Sequence, residues 1–352
     1  MTTINPASPS PVHVRNDAPA AQPGNDGDGR MRAGTYNLAA GNQDYRHNVE
    51  HTTRTLAQQV VDNDVDVVAL QEVDVGTNDA AEDLPPGMDD YNEYVLAQVS
   101  AQEAGLQGEV DYVREEQGDG TVVITGTDED GRTSQVTIKR EFYGEDGQPV
   151  DAGDPEATIT VYNADVVSPD GVRDYTVVYG SSTDHDGGTY GNAVLLGPDA
   201  TLQRDADGNA LVACHDLGEN DPVKNENRTA LQVEVDVAGE SATVFSAHLT
   251  AGSNDDDAAV DARKDQYATL ARLAEQSGDN TLLLGDFNTG GVETVGPLTG
   301  ENHDENNPGS GLFRDPIDRI YVSDDVDADN RLFVWGGGSD HNMLVWDVDL
   351  DA

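Results

Sequence analysis

The sequence predicts an α/β protein in which stacked β-sheets are flanked by a few helices. Two observations carry that expectation. One is a strand–helix–strand unit over residues 31–72; the other is a long series of short β-type runs with few helical patterns among them. A third observation gives the fold a functional direction. Polar residues cluster at the ends of the apolar runs, where α/β sheets place their ligands.

Residues 1–30 are rich in Pro, Ser, Asn, Asp and Gly without periodicity, and read as a disordered polar leader. Residues 31–352 read as one domain. Met31 opens a strand, MRAGTYNLA, that delivers Asn37 at its end. Asn48 to about Val61 reads as a helix with Val49, Leu56, Val60 and Val61 roughly on one face. The next run, DVDVVALQEV, is a buried strand that ends in Gln71-Glu72.

From about Gly105 to Asp174 the texture changes. Alternating segments such as TVVITG, SQVTIKREFYG and ATITVYNADVV are separated by DEDGR, GEDGQPVDAGDP and SPDGVRD. These read as an acidic insertion of exposed β-hairpins with Asp-Gly turns. The core pattern resumes at YTVVYG and continues through GTYGNAVLLG, ALQVEVDV and ATVFSAHL. A helix through DARKDQYATLARLAEQ follows, then TLLLGDFN, IDRIYVS and SDHNMLVWDVDL.

Composition narrows the chemistry. The chain holds 68 Asp and Glu against 19 Lys and Arg, a net charge of −49. Lys139, Lys224 and Lys264 are its only lysines. Abundant surface Asp with scarce Lys keeps a protein soluble where salt screens charge to a Debye length of ~3 Å at 1 M, so the surface reads as salt-adapted. The same balance argues against a basic nucleic-acid-binding module, since neutralising phosphates takes Lys and Arg. One cysteine, Cys214, excludes an intramolecular disulfide framework and a Cys-rich zinc site. No run approaches the ~20 apolar residues of a membrane span. The N-terminus lacks a secretory signal pattern, which with the lone cysteine fits a cytoplasmic location; the polar leader leaves a non-classical export route open.

Five polar clusters stand at the ends of apolar runs: Asn37, Glu72, His248, Asp286-Phe287-Asn288 and Asp340-His341. Singly, each has an ordinary explanation as a solvated cap or turn residue. Together, acids, amides and histidines at strand ends can hold a divalent cation and a phosphate. Carboxylate and amide oxygens are the hard ligands that Mg²⁺ or Mn²⁺ prefers.

The ordered set TYN, LQEVD, YGNAVL, SAHL, GDFN, IDRIYVS and SDH resembles the endonuclease/exonuclease/phosphatase superfamily, with its deoxyribonuclease-I-like fold. Each motif alone is weak; the series from Met31 to Leu350 is specific. The resemblance implies a four-layer α/β sandwich, two mixed β-sheets face to face with flanking helices outside. It also implies metal-dependent hydrolysis of phosphoester bonds. Carried over motif by motif, Glu72 matches the principal metal-binding glutamate, with Asn37 and Asp340 assisting at the metal. Asp286 matches the aspartate that orients or deprotonates the attacking water, and Asn288 the amide that steadies phosphate oxygens. His341 matches the histidine at the scissile phosphate, Asp318 the acid that pairs with it, and His248 the second histidine. Asn192 and Arg228 match recurrent positions assigned here to substrate binding.

Departures from the pattern matter. Val75 stands where relatives often carry an Arg, the 105–174 insertion is longer than a compact member needs, and no acid is evident to support His248. The superfamily's substrates include DNA, RNA, inositol phosphates and sphingomyelin, so the resemblance implies a phosphoester partner, nucleic acid among the candidates, without naming it. Endonuclease is the leading subtype. A basic rim for DNA would have to come from Arg46, Arg54, Arg228 and Arg319. The alternative enzyme is a phosphatase or phospholipase-type esterase on a small or lipid substrate. An alternative of another class is a non-catalytic, acidic cation-binding protein. DADGN at 205–209 lacks the spacing of an EF-hand loop and reads as a solvated turn. No obligatory protein partner is inferred.

Overall fold

A computed structural model describes residues 13–15, 30–39, 49–218, 226–253, 255–289, 294–300, 317–335 and 338–350. The first part of the chain forms β1 (His13–Arg15), β2 (Arg30–Asn37), α1 (Val49–Asp62), β3 (Val67–Val75), α2 (Asn78–Asp83) and α3 (Tyr91–Glu103). Next come β4 (Val110–Glu116), β5 (Val122–Asp128), β6 (Thr133–Tyr143), β7 (Ile159–Ser168), β8 (Gly171–His185) and β9 (Gly188–Leu196). A second series follows: β10 (Ala200–Leu202), β11 (Val212–Asp216), β12 (Thr229–Val237), β13 (Glu240–His248), α4 (Asp257–Ser277) and β14 (Thr281–Asp286). The chain closes through β15 (Thr294–Val295), β16 (Leu298–Gly300), β17 (Asp318–Val322), β18 (Asp327–Trp335) and β19 (Met343–Asp349).

These strands make two mixed sheets. One has 11 strands in the order β1-β18-β19-β2-β3-β9-β8-β7-β6-β5-β4, and the other has 8, ordered β10-β12-β13-β14-β17-β16-β15 with β11 also on β12. Parallel pairs occur at β2/β3 and β13/β14. The expected helix over 48–61 is the crossover α1 between the first pair, and the one through 261–276 is the crossover α4 between the second. Parallel strands need such a crossover.

Three apolar cores separate four layers. Leu56, Val60, Tyr94 and Leu96 of α1 and α3 pack on the outer face of the larger sheet with Val68, Leu70 and Leu195. Ala33, Val67, Val194, Leu231, Val244, Leu282 and Ile320 fill the space between the sheets. Leu270, Leu273 and Ala274 of α4 cover the outer face of the smaller sheet against Phe245, Leu283 and Tyr321. The four-layer α/β sandwich is therefore the fold.

One expectation changes in detail. The hairpins of 105–174 are exposed on one side only: β4 to β8 continue the larger sheet strand by strand, with Val122, Ile124, Val136 and Ile138 buried in the outer core and Val113, Val167 and Val172 exposed. Their alternation reflects one face covered by helix rather than a free ribbon. What covers them is α3, for which the sequence showed no stripe because Tyr91 to Ala101 are all buried. A helix enclosed on several sides has no polar face. Its Glu93 carboxylate is met by Arg114 at 2.6 Å, and Asp90 caps its N-terminus. Of the expected leader, residues 1–30, only His13–Arg15, which pairs with β18, and Arg30 lie among the described residues.

Candidate active site

The sheets face each other strand over strand, β17 and β14 over β2, β13 over β3, and β12 over β9. At one end of this stack β2, β3, β13 and β14 all finish or bend, and their last inward-pointing side chains meet.

The GDFN turn shows how the sequence builds the place. Gly285 lies against β13 so closely that a Cβ there would fall 1.9 Å from the Ala247 carbonyl oxygen. Asp286 then points inward, in register with His248 on one side and Asp318 on the other. Phe287 points outward and is fully buried between Tyr267 and Tyr321, which anchors the turn. Asn288 takes a left-handed φ of 52°, donates its backbone N–H to Asp286 Oδ1 at 2.8 Å, and ties its amide to the Leu249 carbonyl at 3.0 Å.

Glu72 reaches the site by a different device. The β3/β9 register shifts between Leu70 and Val73, and within that irregularity Glu72 has a φ of 57°. A β-bulge re-aims a side chain, and a left-handed glutamate is strain that the surrounding sheet must hold in place.

Asn37 joins the two acids. Its Nδ2 donates to Glu72 Oε1 at 3.1 Å and to Asp286 Oδ2 at 3.0 Å, while its Oδ1 accepts from the Ala39 N–H at 2.9 Å. A backbone N–H can only donate, so the amide oxygen is committed to the backbone and the amide nitrogen faces the carboxylates. Asn37, expected to assist at the metal, has its amide nitrogen on both carboxylates here. Ser339, which the sequence reading passed over, fixes this end of β2: its Oγ donates to the Asn37 carbonyl at 2.7 Å and accepts from the His341 N–H at 3.0 Å.

His341 stands between acids. Nδ1 lies 3.0 Å from Asp318 Oδ2, and Nε2 lies 3.6 Å from Asp286 Oδ2 and 3.8 Å from Asp340 Oδ1. Burial by itself disfavours the charged ring, but the Asp318 and Asp286 carboxylates outweigh it and hold His341 well above the ordinary histidine range. Burial pushes the Asp286 carboxyl up to about 7, against the opposing pull of His341. Ligand atoms of Asp286, Asp318 and His341 all lie within 4.8 Å of one another, close enough to share a metal. Without a cation, the same three groups form a carboxylate–imidazole array. Asn37 draws the Glu72 and Asp286 carboxylates together, and Asp286, Asp318 and Asp340 place three acids around His341.

His248 and Arg228 form the other wall. Arg228 Nη1 lies 3.1 Å from His248 Nδ1, and its Nη2 lies 3.1 Å from Glu226 Oε2. A guanidinium only donates, so Nδ1 is the acceptor and the ring hydrogen sits on Nε2, which faces Asp286 at 3.6 Å and Glu72 at 3.9 Å. The sequence shows no acid to support His248. The structure places an arginine at that nitrogen, and the acid, Glu226, one step further out. Asn192 donates to the Thr229 carbonyl at 2.9 Å, next to Arg228, so its amide ties β9 to the start of β12.

All ten residues singled out in the sequence thus lie along one end of the sandwich. Of the four arginines expected as a basic rim, Arg228 is in the site, Arg54 pairs with Glu50 on α1 and Arg319 is nine-tenths buried on β17; Arg46 lies outside the described residues.

Fold and site together define a two-sheet phosphoesterase. Residues 34–341 match the sequence model of the Endonuclease/Exonuclease/phosphatase family, and the chain belongs to that family. Among solved structures, the human Nocturnin catalytic domain with bound sulfate is 14% identical, covers 96% of both chains and superposes with a TM-score of 0.48. An endonuclease/exonuclease/phosphatase family protein of Leptotrichia buccalis is 12% identical over 90% of this chain and 99% of its own, with a TM-score of 0.48. A humanized D. rerio TDP2 is 12% identical over 91% and 99%, at 0.46. No match is found among curated proteins. No helix among the described residues is long and apolar enough to cross a membrane.

Proposed function

We propose that the protein is a divalent-metal-dependent phosphodiesterase that attacks phosphorus in line with water activated by Asp286. The observation that carries this reading is the setting of Asp286. It is buried, hydrogen-bonded by Asn37, faced by the ring nitrogens of His248 and His341, and pushed up to about 7, the range suited to a general base near neutral pH. Asp286 Oδ2 accepts the proton of the attacking water. His341, held charged by Asp318, presents Nε2–H where negative charge builds on phosphorus. His248 presents its Nε2–H from the opposite wall. Glu72 and Asp340 are the proposed ligands of Mg²⁺ or Mn²⁺, which supplies Lewis-acid charge to a phosphate oxygen when bound. Asn37 holds Glu72 and Asp286 in place, and Asn288 fixes the rotamer of Asp286 through its backbone N–H.

Endonuclease action leads within the family reading, but a net charge of −49 favours small or lipid phosphoesters as strongly. The test is Mg²⁺-dependent cleavage of plasmid DNA beside an inositol phosphate and sphingomyelin, from low to molar salt, with Asp286→Asn as control. Loss of all turnover in the variant supports the reading. A wild type that cleaves none of the three with Mg²⁺ or Mn²⁺, or an Asp286→Asn protein with near-full activity, overturns it.

A further inference from the structure

Directly beneath the catalytic residues the space between the sheets turns polar. Elsewhere that layer is filled by residues such as Ala33, Val67, Val194, Leu231, Val244 and Leu282. Thr35 of β2, Gln71 of β3 and Ser246 of β13 interrupt it, and each is fully buried. Thr35 precedes Asn37 by two residues, Gln71 immediately precedes Glu72, and Ser246 precedes His248 by two. Gln71 is also the register partner of Asn37, and Ser246 stands beside Leu284, two residues before Asp286.

The three side chains form one series of hydrogen bonds across the sheets. Thr35 Oγ1 donates to Gln71 Oε1 at 3.2 Å, Gln71 Nε2 donates to Ser246 Oγ at 3.3 Å, and Ser246 Oγ donates to the Leu70 carbonyl at 3.2 Å. A carbonyl only accepts, so the Ser246 hydrogen is committed to Leu70 and its oxygen must accept from Gln71. The Gln71 amide therefore has one orientation, nitrogen toward β13 and oxygen toward β2. The series ends where the β3/β9 register shifts, between Leu70 and Val73, which is the irregularity that gives Glu72 its φ of 57°.

Bonds of this length are long for hydrogen bonds and add little net stability; apolar groups of the same shape would fill the space about as well. What apolar contacts lack is direction. A network with a single arrangement of hydrogens favours a single offset between the sheets. Resting on the phosphodiesterase reading above, we infer that Gln71 is a positioning residue. Through Thr35 and Ser246 it locks the Glu72 bulge to both sheets, and so sets Asn37 and Glu72 on one wall against His248 and Asp286 on the other.

Thr35 separates this role from packing. Thr35→Val keeps the shape and loses the hydroxyl, whereas Thr35→Ser keeps the hydroxyl and loses a methyl. Thr35→Val, Gln71→Met and Ser246→Ala should each fold and lose kcat by about 10²-fold with KM little changed, the scale of a misplacement of about 1 Å. The substrate is bis(4-nitrophenyl) phosphate, or whichever of the three substrates named above the wild type cleaves. Thr35→Ser should melt below the wild type yet keep its kcat. A packing role gives the reverse order, with Thr35→Val the more active; that order, or a wild-type kcat in Ser246→Ala, overturns the proposal. If Thr35→Val does not fold, Ser246→Ala decides, since it removes a single oxygen. If the wild type cleaves none of these esters, the phosphodiesterase reading fails, and positioning is judged by NMR of the metal-free protein. The Asn37 Nδ2 protons, bonded to Glu72 and Asp286, should move toward free-amide shifts in Ser246→Ala and Gln71→Met. Protons that stay in place end the proposal.

Discussion

Asp318 Oδ2 lies 3.0 Å from His341 Nδ1, and this contact orients the other ring nitrogen toward Asp286, 3.6 Å away. It also supplies the charge that keeps the ring protonated against the penalty of burial. Asp318→Asn should leave the fold intact and lower kcat by roughly 10²–10⁴-fold, the usual range for a positioned proton donor. The alkaline limb of the pH–rate profile should move to lower pH, because the variant ring loses its proton earlier. A profile that keeps its shape would remove His341 from the proposed role.

Glu72 combines strain with function. Its left-handed φ of 57° is a conformation that glycine adopts without steric cost. Glu72→Gly should therefore raise the thermal stability of the metal-free protein by about 1 kcal/mol, or the melting point by a few degrees, while abolishing turnover. Calorimetric titration with Mn²⁺ should show binding to the wild type and none to the variant. Full metal binding without Glu72 would move the cation site elsewhere.

Two further buried carboxyls predict how stability follows pH. Burial pushes both Asp66 and Asp74 up to about 7 from the ordinary 3.8. Between those values the folded state binds protons that the unfolded chain does not. Their contribution is thus complete below about 3.8, shrinks as pH rises, and is gone above about 7. Scanning calorimetry without metal should show a higher melting point at pH 5 than at pH 8. Asp74→Asn should flatten that slope, by an amount on the order of a few kcal/mol between the extremes. A melting point that climbs steadily from pH 5 to 8 contradicts this sign.

A net charge of −49 spread over the chain is self-repulsion that salt relieves. The melting point should rise as KCl goes from low concentration to about 1 M, with most of the gain where the Debye length falls from ~10 Å at 0.1 M to ~3 Å at 1 M. Arg114 with Glu93 is buried and should hold throughout. A melting point independent of salt would show that the surface carboxylates are spaced too widely to matter.

Much of the site was legible because strand ends punctuate the sequence. Asn37, Glu72, His248, Asp286 and His341 each follow an apolar run, and their residue types suit a cation and a phosphate. The two crossover helices were legible from their periodicity, and the ordered motifs implied the four-layer sandwich. Helix α3 was hidden because it is buried nearly all round. The hairpins of 105–174 read as exposed because alternation does not tell whether helix or solvent covers a face.

What the sequence alone determined was the inventory: strands, crossovers, hard ligands at strand ends and an acidic surface. Only the tertiary structure decided the partners. The amide oxygen of Asn37 is bound to Ala39, so its nitrogen faces the acids, and Arg228, not an acid, sets the tautomer of His248. The reason is physical. Propensity and periodicity act over neighbours in sequence, whereas a hydrogen bond or a charge pair depends on atoms brought within about 3 Å by sheets that close late in the chain.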